Sequence, residues 1–355
     1  MNKSYTLILP VAGKSSRFPG MRPKWLLTMP DGKLMIEKSI ELFDISRFDK
    51  IIIVCLKEHV DKYLSEDYIA NVKNKLNHPN ILFCMLDEPT KSQSETVAKA
   101  LILENISGAF LIKDCDNVFS FDWSGGNQIA TVNLNDADNI INIKNKSYVS
   151  VDTLGNIINI VEKRIISDTF CCGAYGFESA EEFLHFFNEI SREDEVYISH
   201  VVFAMIMRSS SFKIGYAKNY MDWGTEREYI NYMRSFVTIF CDIDGVLLEN
   251  GSKFGPNKWA TKAIQSNVSS LAELQKKGII HLIVTSSRPE EQENYIRSVL
   301  SEYGVVADRY ILGLPHGRRM LVNDYSTTNP YPTAIALNLE RNSENLKMLI
   351  NSVFN

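Results

Sequence analysis

In the first third of the chain, short apolar runs alternate with segments whose apolar residues recur at helical spacing, and this alternation constrains the fold most. Residues 5–11, 51–56, 81–86 and 109–112 read as strands buried on both faces. Residues 34–43, 58–76 and 94–103 read as the helices between them, each of a length that returns the chain to a parallel neighbour. That order predicts an α/β fold with a doubly wound, largely parallel sheet. After Asp116 the rhythm changes. Residues 129–134, 140–143, 148–151 and 157–161 are closely spaced apolar runs separated by Asn, Asp, Lys and Gly, the pattern of an antiparallel extension.

A second beginning follows at Phe236, where Val-Thr-Ile-Phe-Cys forms a new buried-strand run ending on Asp242-Ile243-Asp244-Gly245. A helix over 258–277, a strand over 279–284, a helix over 289–302 and strands over 320–322 and 334–337 would complete a small α/β sandwich. A chain of 355 residues is long enough for two such domains, here 1–235 and 236–355. No Pro, Gly or Ser-rich linker separates them, so the halves are expected to touch.

Charge narrows the function. With 38 Lys+Arg against 43 Asp+Glu the net charge is -5, which argues against nucleic acid, because phosphate backbones are held by clustered basic residues. No apolar run approaches the length of a membrane span and residues 1–13 lack the pattern of a signal peptide, so a cytoplasmic protein without membrane insertion is expected. The six cysteines form no Cys-x-x-Cys pair and most lie in apolar runs, which predicts buried reduced thiols. A homo-oligomer is compatible with this sequence.

After the first strand comes Leu9-Pro-Val-Ala12-Gly13-Lys14-Ser15-Ser16-Arg17-Phe-Pro-Gly20. Its small residues would let backbone N–H groups approach phosphates, and Lys14 and Arg17 supply positive charge. It is neither a Walker A loop, since Ile8 stands where the first Gly belongs, nor a dinucleotide fingerprint, which Ser15 and Phe18 break. The segment resembles the signature loop of the sugar-1-phosphate nucleotidyltransferases, Gly-x-Gly/Ser-x-Arg followed by Pro-Lys, here Gly13 to Arg17 and then Pro23-Lys24. The likeness continues in order through Asp114-Cys-Asp116-Asn117, Val161-Glu162-Lys163, Cys172-Gly173-Ala174-Tyr175 and Asp222-Trp223-Gly224-Thr225. Pro10-Val11, Ser15 and Trp25 depart from the usual pattern.

What this resemblance implies is a Rossmann-like mixed-sheet nucleotidyltransferase fold that joins a nucleoside triphosphate to a sugar or polyol phosphate and releases pyrophosphate. Ala12, Gly13, Lys14, Ser15 and Ser94 would bind the nucleotide, with Arg17 and Lys24 as catalytic cations. Glu162, Lys163 and Gly173 would line the sugar site, and Asp116 and Asp222 would hold Mg²⁺, a hard cation suited to carboxylates. Each has a plainer alternative: a lone Asp-x-Asp is often a solvated turn, and Ser94 is equally a helix cap.

The second half resembles the haloacid dehalogenase-like phosphohydrolases, through Asp242-Ile-Asp244-Gly245-Val246, Thr285-Ser-Ser-Arg288 and Asn323-Asp324. That likeness implies a small α/β/α sandwich with little or no cap. In it Asp242 would be the nucleophile and Asp244 the general acid–base, with Thr285 and Arg318 on the phosphate and Asp242, Asp244 and Asp324 around Mg²⁺. The chain is then expected to be bifunctional, making activated precursors for a surface polysaccharide. Two alternatives stand beside this: a cytidylyltransferase for choline, glycerol or ethanolamine-type phosphates with a phosphatase, and a nucleotide-sugar-binding protein with a non-catalytic scaffold.

Overall fold

The computed structural model describes residues 4–75, 78–136, 142–191, 195–323 and 334–354. It divides into two compact units, Met1–Asn231 and Tyr232–Asn355.

The first unit opens as the alternation predicts. Strands β1 (Tyr5–Pro10), β2 (Lys50–Leu56) and β3 (Ile81–Leu86) pair in parallel. Between them lie α1 (Met35–Ser39), α2 (Lys57–Tyr63) and α3 (Glu66–Lys75); α4 (Gln93–Leu103) then leads to β4 (Ala109–Lys113), which pairs in parallel with β1 on its free side. The expected 58–76 helix is therefore two, because Ser65 accepts the Tyr68 N–H through its hydroxyl and starts a new helix. The expected 34–43 helix shrinks to α1.

Next come β5 (Asn117–Ser120), β6 (Gln128–Asn133), β7 (Tyr148–Val151), β8 (Ile157–Val161) and β9 (Thr169–Phe177). Helices α5 (Ala180–Ile190) and α6 (Ile198–Met207), strands β10 (Lys213–Tyr216) and β11 (Lys218–Asp222), and helix α7 (Glu226–Ser235) follow. Of the expected 140–143 strand, residues 140 and 141 lie outside the described residues, and Ile143 begins a short 3₁₀ turn. The main sheet runs β10-β6-β9-β4-β1-β2-β3, and β9 lies antiparallel to both β4 and β6. The hairpin β7–β8 attaches to β9, so the antiparallel extension is present.

Alternation of side chains gives the sheet two cores. Ile8, Ile52 and Ile112 face α4, α5 and α6, whereas Leu7, Leu9 and Ile53 face Trp25, α1 and α2. Aromatic rings fill the first side, where Phe183 lies 5.6 Å from Phe110 and 4.9 Å from Phe177, both edge-on. The strand order reverses at β1, with β2 on one side and β4 on the other. The C-terminal ends of β1 and β4 therefore mark the switch point at which sheets of this kind usually bind ligands.

The second unit is built on three parallel strands, β12 (Val237–Asp242), β13 (Ile280–Thr285) and β14 (Arg309–Ile311), with helices α8 (Gln265–Lys276), α9 (Glu293–Glu302) and α10 (Leu346–Phe354). Ile243, Leu247, Val268, Leu271, Leu282, Ile296 and Leu300 form its core. The helix expected from 258 begins only at Gln265, since 258–264 run as a loop in which the Glu249 N–H reaches the Lys262 carbonyl. The strands expected at 320–322 and 334–337 do not form. Met320 and Val322 are fully exposed, and β14 takes the edge instead. The six cysteines are buried free thiols, and among the described residues no helix is long and apolar enough to cross a membrane.

Candidate active sites

The loop after β1 is anchored from below. Phe18 is buried with its ring edge-on to Tyr229, the Phe18 N–H reaches the Ser15 carbonyl, and Ser15 takes a left-handed φ of 50°. Gly13, Lys14 and Arg17 stay exposed above this anchor, while Ala12 is buried. Ser15 Oγ accepts the Lys24 N–H at 3.0 Å, tying the loop to the Pro-Lys turn, and the buried Trp25 and Leu26 fix that turn against the core. Lys24 Nζ then lies 2.6 Å from Asp116 Oδ2, and Arg17 Nη2 lies 3.9 Å from the same oxygen. Burial opposes the charge on Lys24, but Asp116 outweighs it and the Lys24 pKa rises. Burial likewise opposes the Asp116 charge, and Lys24 and Arg17 still hold its carboxyl well below the usual range.

The turn that presents Asp116 is shaped by a lysine absent from the sequence-derived site. Lys113 is fully buried, and its Nζ donates to the Asp114 carbonyl (2.6 Å), the Asn117 carbonyl (2.9 Å) and Asn117 Oδ1 (2.6 Å). The rings of Phe119 and Phe43 lie 4.6 Å and 5.8 Å from the ammonium. Burial pulls its pKa down to about 8. Beside it, burial and the Asp116 charge push Asp114 up to about 6, with Gln93 Nε2 donating to its carboxylate.

Asp222 comes to the same place because β11 pairs antiparallel with β5 and sets Asp222 opposite Asn117. The Trp223 N–H donates to the Asp116 carbonyl at 2.8 Å, and the Gly224 N–H to Asp222 Oδ1 at 3.1 Å. A methyl on Gly224 would lie 3.1 Å from Asp222 Oδ1, 3.4 Å from Asp116 Oδ2 and 3.7 Å from Arg17 Nη1. Two carboxylates far apart in sequence thus meet around one glycine. Lys146, which the sequence-derived site also omits, pairs with Asp222 Oδ2. Nearby, Glu228 is buried, with Oε2 held by Thr225 and no hydrogen-bond partner at Oε1 among the described residues.

Glu162, at the end of β8, accepts hydrogen bonds from the hydroxyls of Ser147 and Ser199, the latter at 2.7 Å. Lys163 (φ 52°) turns away and donates to Tyr197 Oη at 2.5 Å. Gly173 has φ 99°, and a Cβ there would stand 2.7 Å from both Asn117 Nδ2 and Asp114 Oδ2, so the position strongly favours glycine. Ser94 corrects an expectation. It is fully buried and gives its hydroxyl to the Val196 carbonyl, so it packs α4 against the segment before α6 and offers a ligand nothing. Its neighbour Gln93 faces the acidic turn instead.

In the second unit Asp242 ends β12 opposite Thr285. Burial raises the Asp242 carboxyl despite Arg319, whose Nη2 lies 3.2 Å from Oδ1. The arginine against Asp242 is thus Arg319, the neighbour of the Arg318 expected on the phosphate. Asp244 departs further from expectation. Arg288, fully buried, donates to it from Nε and from Nη2 (2.7 Å), and Ser286 Oγ donates at 2.9 Å. The guanidinium is fixed in turn by the Trp259 carbonyl and Thr261. Both Asp244 oxygens are therefore taken up in a buried ion pair, which suits an anchor and not a free proton donor. Thr285 is also buried, its hydroxyl 3.4 Å from the Cys241 carbonyl. Asp324 lies outside the described residues.

Neither a family model nor a curated protein matches the sequence. Solved structures do. A nucleoside-diphosphate-sugar pyrophosphorylase from Vibrio cholerae aligns with 64% of the chain and 99% of its own, at 19% identity and a TM-score of 0.55. An inositol-1-phosphate CTP transferase from T. maritima aligns with 64% of the chain and 92% of its own, at 14% identity and a TM-score of 0.50. A UDP-glucose pyrophosphorylase in complex with UDP-glucose aligns with 64% and 96%, at 15% identity and the same score. At these identities the likeness is one of fold, an α/β architecture built on a large mixed sheet.

Proposed function

We propose that the first unit transfers a nucleotidyl group from a nucleoside triphosphate to a small phosphate monoester, with release of pyrophosphate. One observation carries this reading: Asp116 and Asp222 converge at Gly224 with Lys24 and Arg17 on the same oxygen of Asp116. A site that joins two polyanions needs fixed cations and carboxylates for a divalent ion, and it needs little covalent help from side chains. The structural neighbours are named for nucleoside-diphosphate sugars and inositol 1-phosphate, which supports a sugar or polyol phosphate as the acceptor.

Mg²⁺ fits the pair, because two hard carboxylate oxygens leave room for the waters and phosphate oxygens that Mg²⁺ retains. Among the described residues no group of three or more His, Cys, Asp or Glu forms a closed protein cage. When bound, the ion would supply charge neutralisation to the phosphates. The exposed Gly13–Arg17 loop would hold the β,γ-phosphates through backbone N–H groups and the charges of Lys14 and Arg17. Lys24 would lie against the α-phosphate. An oxygen of the monoester attacks the α-phosphorus, the bond to the β-phosphate breaks and pyrophosphate leaves. Glu162, flanked by two serine hydroxyls, would accept hydrogen bonds from acceptor hydroxyls.

For the second unit we read a separate phosphoryl site around Asp242, favoured by a carboxylate at the end of a parallel strand with Arg319 against it. Together the two activities would supply activated building blocks for a surface polysaccharide. The test of the first activity is a pyrophosphate-release screen that crosses CTP, UTP, GTP, ATP and dTTP with sugar 1-phosphates and polyol phosphates in Mg²⁺. Release with at least one pair is expected. Tight nucleotide binding without release from any pair would favour a binding protein instead.

A further inference from the structure

Lys146 follows the 3₁₀ turn Ile143–Asn145 and precedes β7, yet its ammonium sits in the carboxylate centre. Its side chain is 17% exposed, and Nζ pairs with Asp222 Oδ2 and donates to Tyr220 Oη at 2.9 Å. Asp116 and Glu228 also act on its charge. Its chain neighbour Ser147 gives a hydroxyl to Glu162, the carboxylate read above as facing the acceptor. The backbone of Lys146 is hydrogen-bonded to that of Lys163, at 3.1 Å from its carbonyl to the Lys163 N–H. The two lysines diverge from this link. Lys163 is exposed and its Nζ lies 4.1 Å over the Tyr197 ring, while Lys146 turns to Asp222.

We propose that Lys146 is a phosphate-binding cation of the transfer site, taking the phosphate of the acceptor monoester on the Asp222 side as Lys24 takes the α-phosphate on the Asp116 side. This rests on the transferase reading above. The acceptor phosphate must lie between the group that holds the acceptor hydroxyls and the carboxylates beside the reacting phosphorus, and Lys146 spans that interval. In the ligand-free protein its charge compensates a nearly buried Asp222, which would otherwise be costly. Once Asp222 has another cation, the flexible ammonium is free to turn to an incoming anion, a use to which lysine is suited.

The test compares full-length wild type, Lys146→Met and Lys146→Arg in three measurements. These are steady-state pyrophosphate release, Mn²⁺ binding without nucleotide by electron paramagnetic resonance, and binding of inorganic phosphate in the presence of Mg²⁺. Loss of one charge-assisted contact should raise the acceptor KM of Lys146→Met by about tenfold or more and weaken inorganic phosphate similarly. The NTP KM should stay within about twofold, a change worth too little energy for a lost ionic contact. Mn²⁺ should bind as tightly as before or more so, since a competing ammonium is gone, and Lys146→Arg should recover most of the acceptor affinity. Weaker Mn²⁺ binding with an unchanged acceptor KM would overturn the proposal and make Lys146 a positioning residue for Asp222. Unchanged values throughout would overturn it too. Wild type that releases no pyrophosphate would overturn the transferase reading itself. If Lys146→Met does not fold, Lys146→Gln takes its place, and near-ultraviolet circular dichroism of each variant records the fold.

Discussion

At Lys113 a whole charge is buried for the sake of one turn. Its ammonium gathers two carbonyls and an amide oxygen that would otherwise lie desolvated between β4 and β5. Lys113→Met keeps the bulk and removes the donors, so urea unfolding should show a loss of about 2–4 kcal/mol, and an unchanged midpoint would contradict this role. Gly173→Ala adds a methyl against Asp114 and Asn117 at a left-handed φ and should cost about 1–3 kcal/mol, with a lower melting temperature as the readout. The sequence singles out Asp116, Asp222, Lys24 and Arg17 because each sits in a motif whose neighbours follow in order, and the structure brings these four side chains together. Lys113 and Lys146 were not legible in the sequence, and the reason is physical. Lys113 looks like the end of an apolar run, and Lys146 like part of a polar turn, because what gives each its role is a partner distant in sequence or a buried turn that no spacing reveals. Ser94 failed in the opposite direction, since a serine in the first turn of a helix looks the same whether its hydroxyl meets a ligand or a carbonyl.

Among the elements, the parallel strands were the most legible, because a run buried on both faces admits little else, and β1 to β4 lie within a residue or so of their expected bounds. Strands recognisable only through their partners were missed. β11 is a short polar run that pairs with β5, and this pairing is what brings Asp222 to Asp116. Helix ends were read too generously where a serine cap or a loop-anchoring contact interrupts an apolar pattern, as at Ser65 and before Gln265. Around α1 a small ion cluster shows how little surface charge adds. Lys38 Nζ lies 2.9 Å from Asp31 Oδ2 and 2.5 Å from Glu41 Oε2, and Lys33 lies 2.7 Å from Glu41. Burial opposes the charges of Asp31, Glu41 and Lys38, yet the lysines lower both carboxyls and the carboxyls raise Lys38. The carboxyl contribution is therefore present above their ordinary range and lost as pH falls through their lowered values, and the Lys38 contribution is lost only as pH rises beyond its own. Lys38→Met should cost about 0.5–1 kcal/mol at about pH 7 by thermal unfolding and progressively less as pH falls through the lowered carboxyl values. A cost that does not change with pH would refute the ionic origin.

For the whole molecule, the chemistries proposed above lie in separate units, so substitutions should not cross between them. Asp242→Asn should leave pyrophosphate release within about twofold of wild type while removing any phosphate-ester hydrolysis, since a lost nucleophile costs orders of magnitude. If hydrolysis survives that change, the phosphoryl reading of the second unit fails, and the buried Arg288–Asp244 pair is then best understood as a scaffold. In the transfer proposed for the first unit, Asp116 and Asp222, drawn together by β5 and β11, would form the metal and phosphate centre. The most direct measurement is pyrophosphate release against Mg²⁺ concentration for wild type, Asp116→Ala and Asp222→Ala, with an NTP and acceptor pair that the screen identifies. Wild type should release pyrophosphate only with Mg²⁺, and each variant should lose at least about 100-fold at saturating substrate. Release by either variant at the wild-type rate, or release indifferent to Mg²⁺, would contradict this assignment.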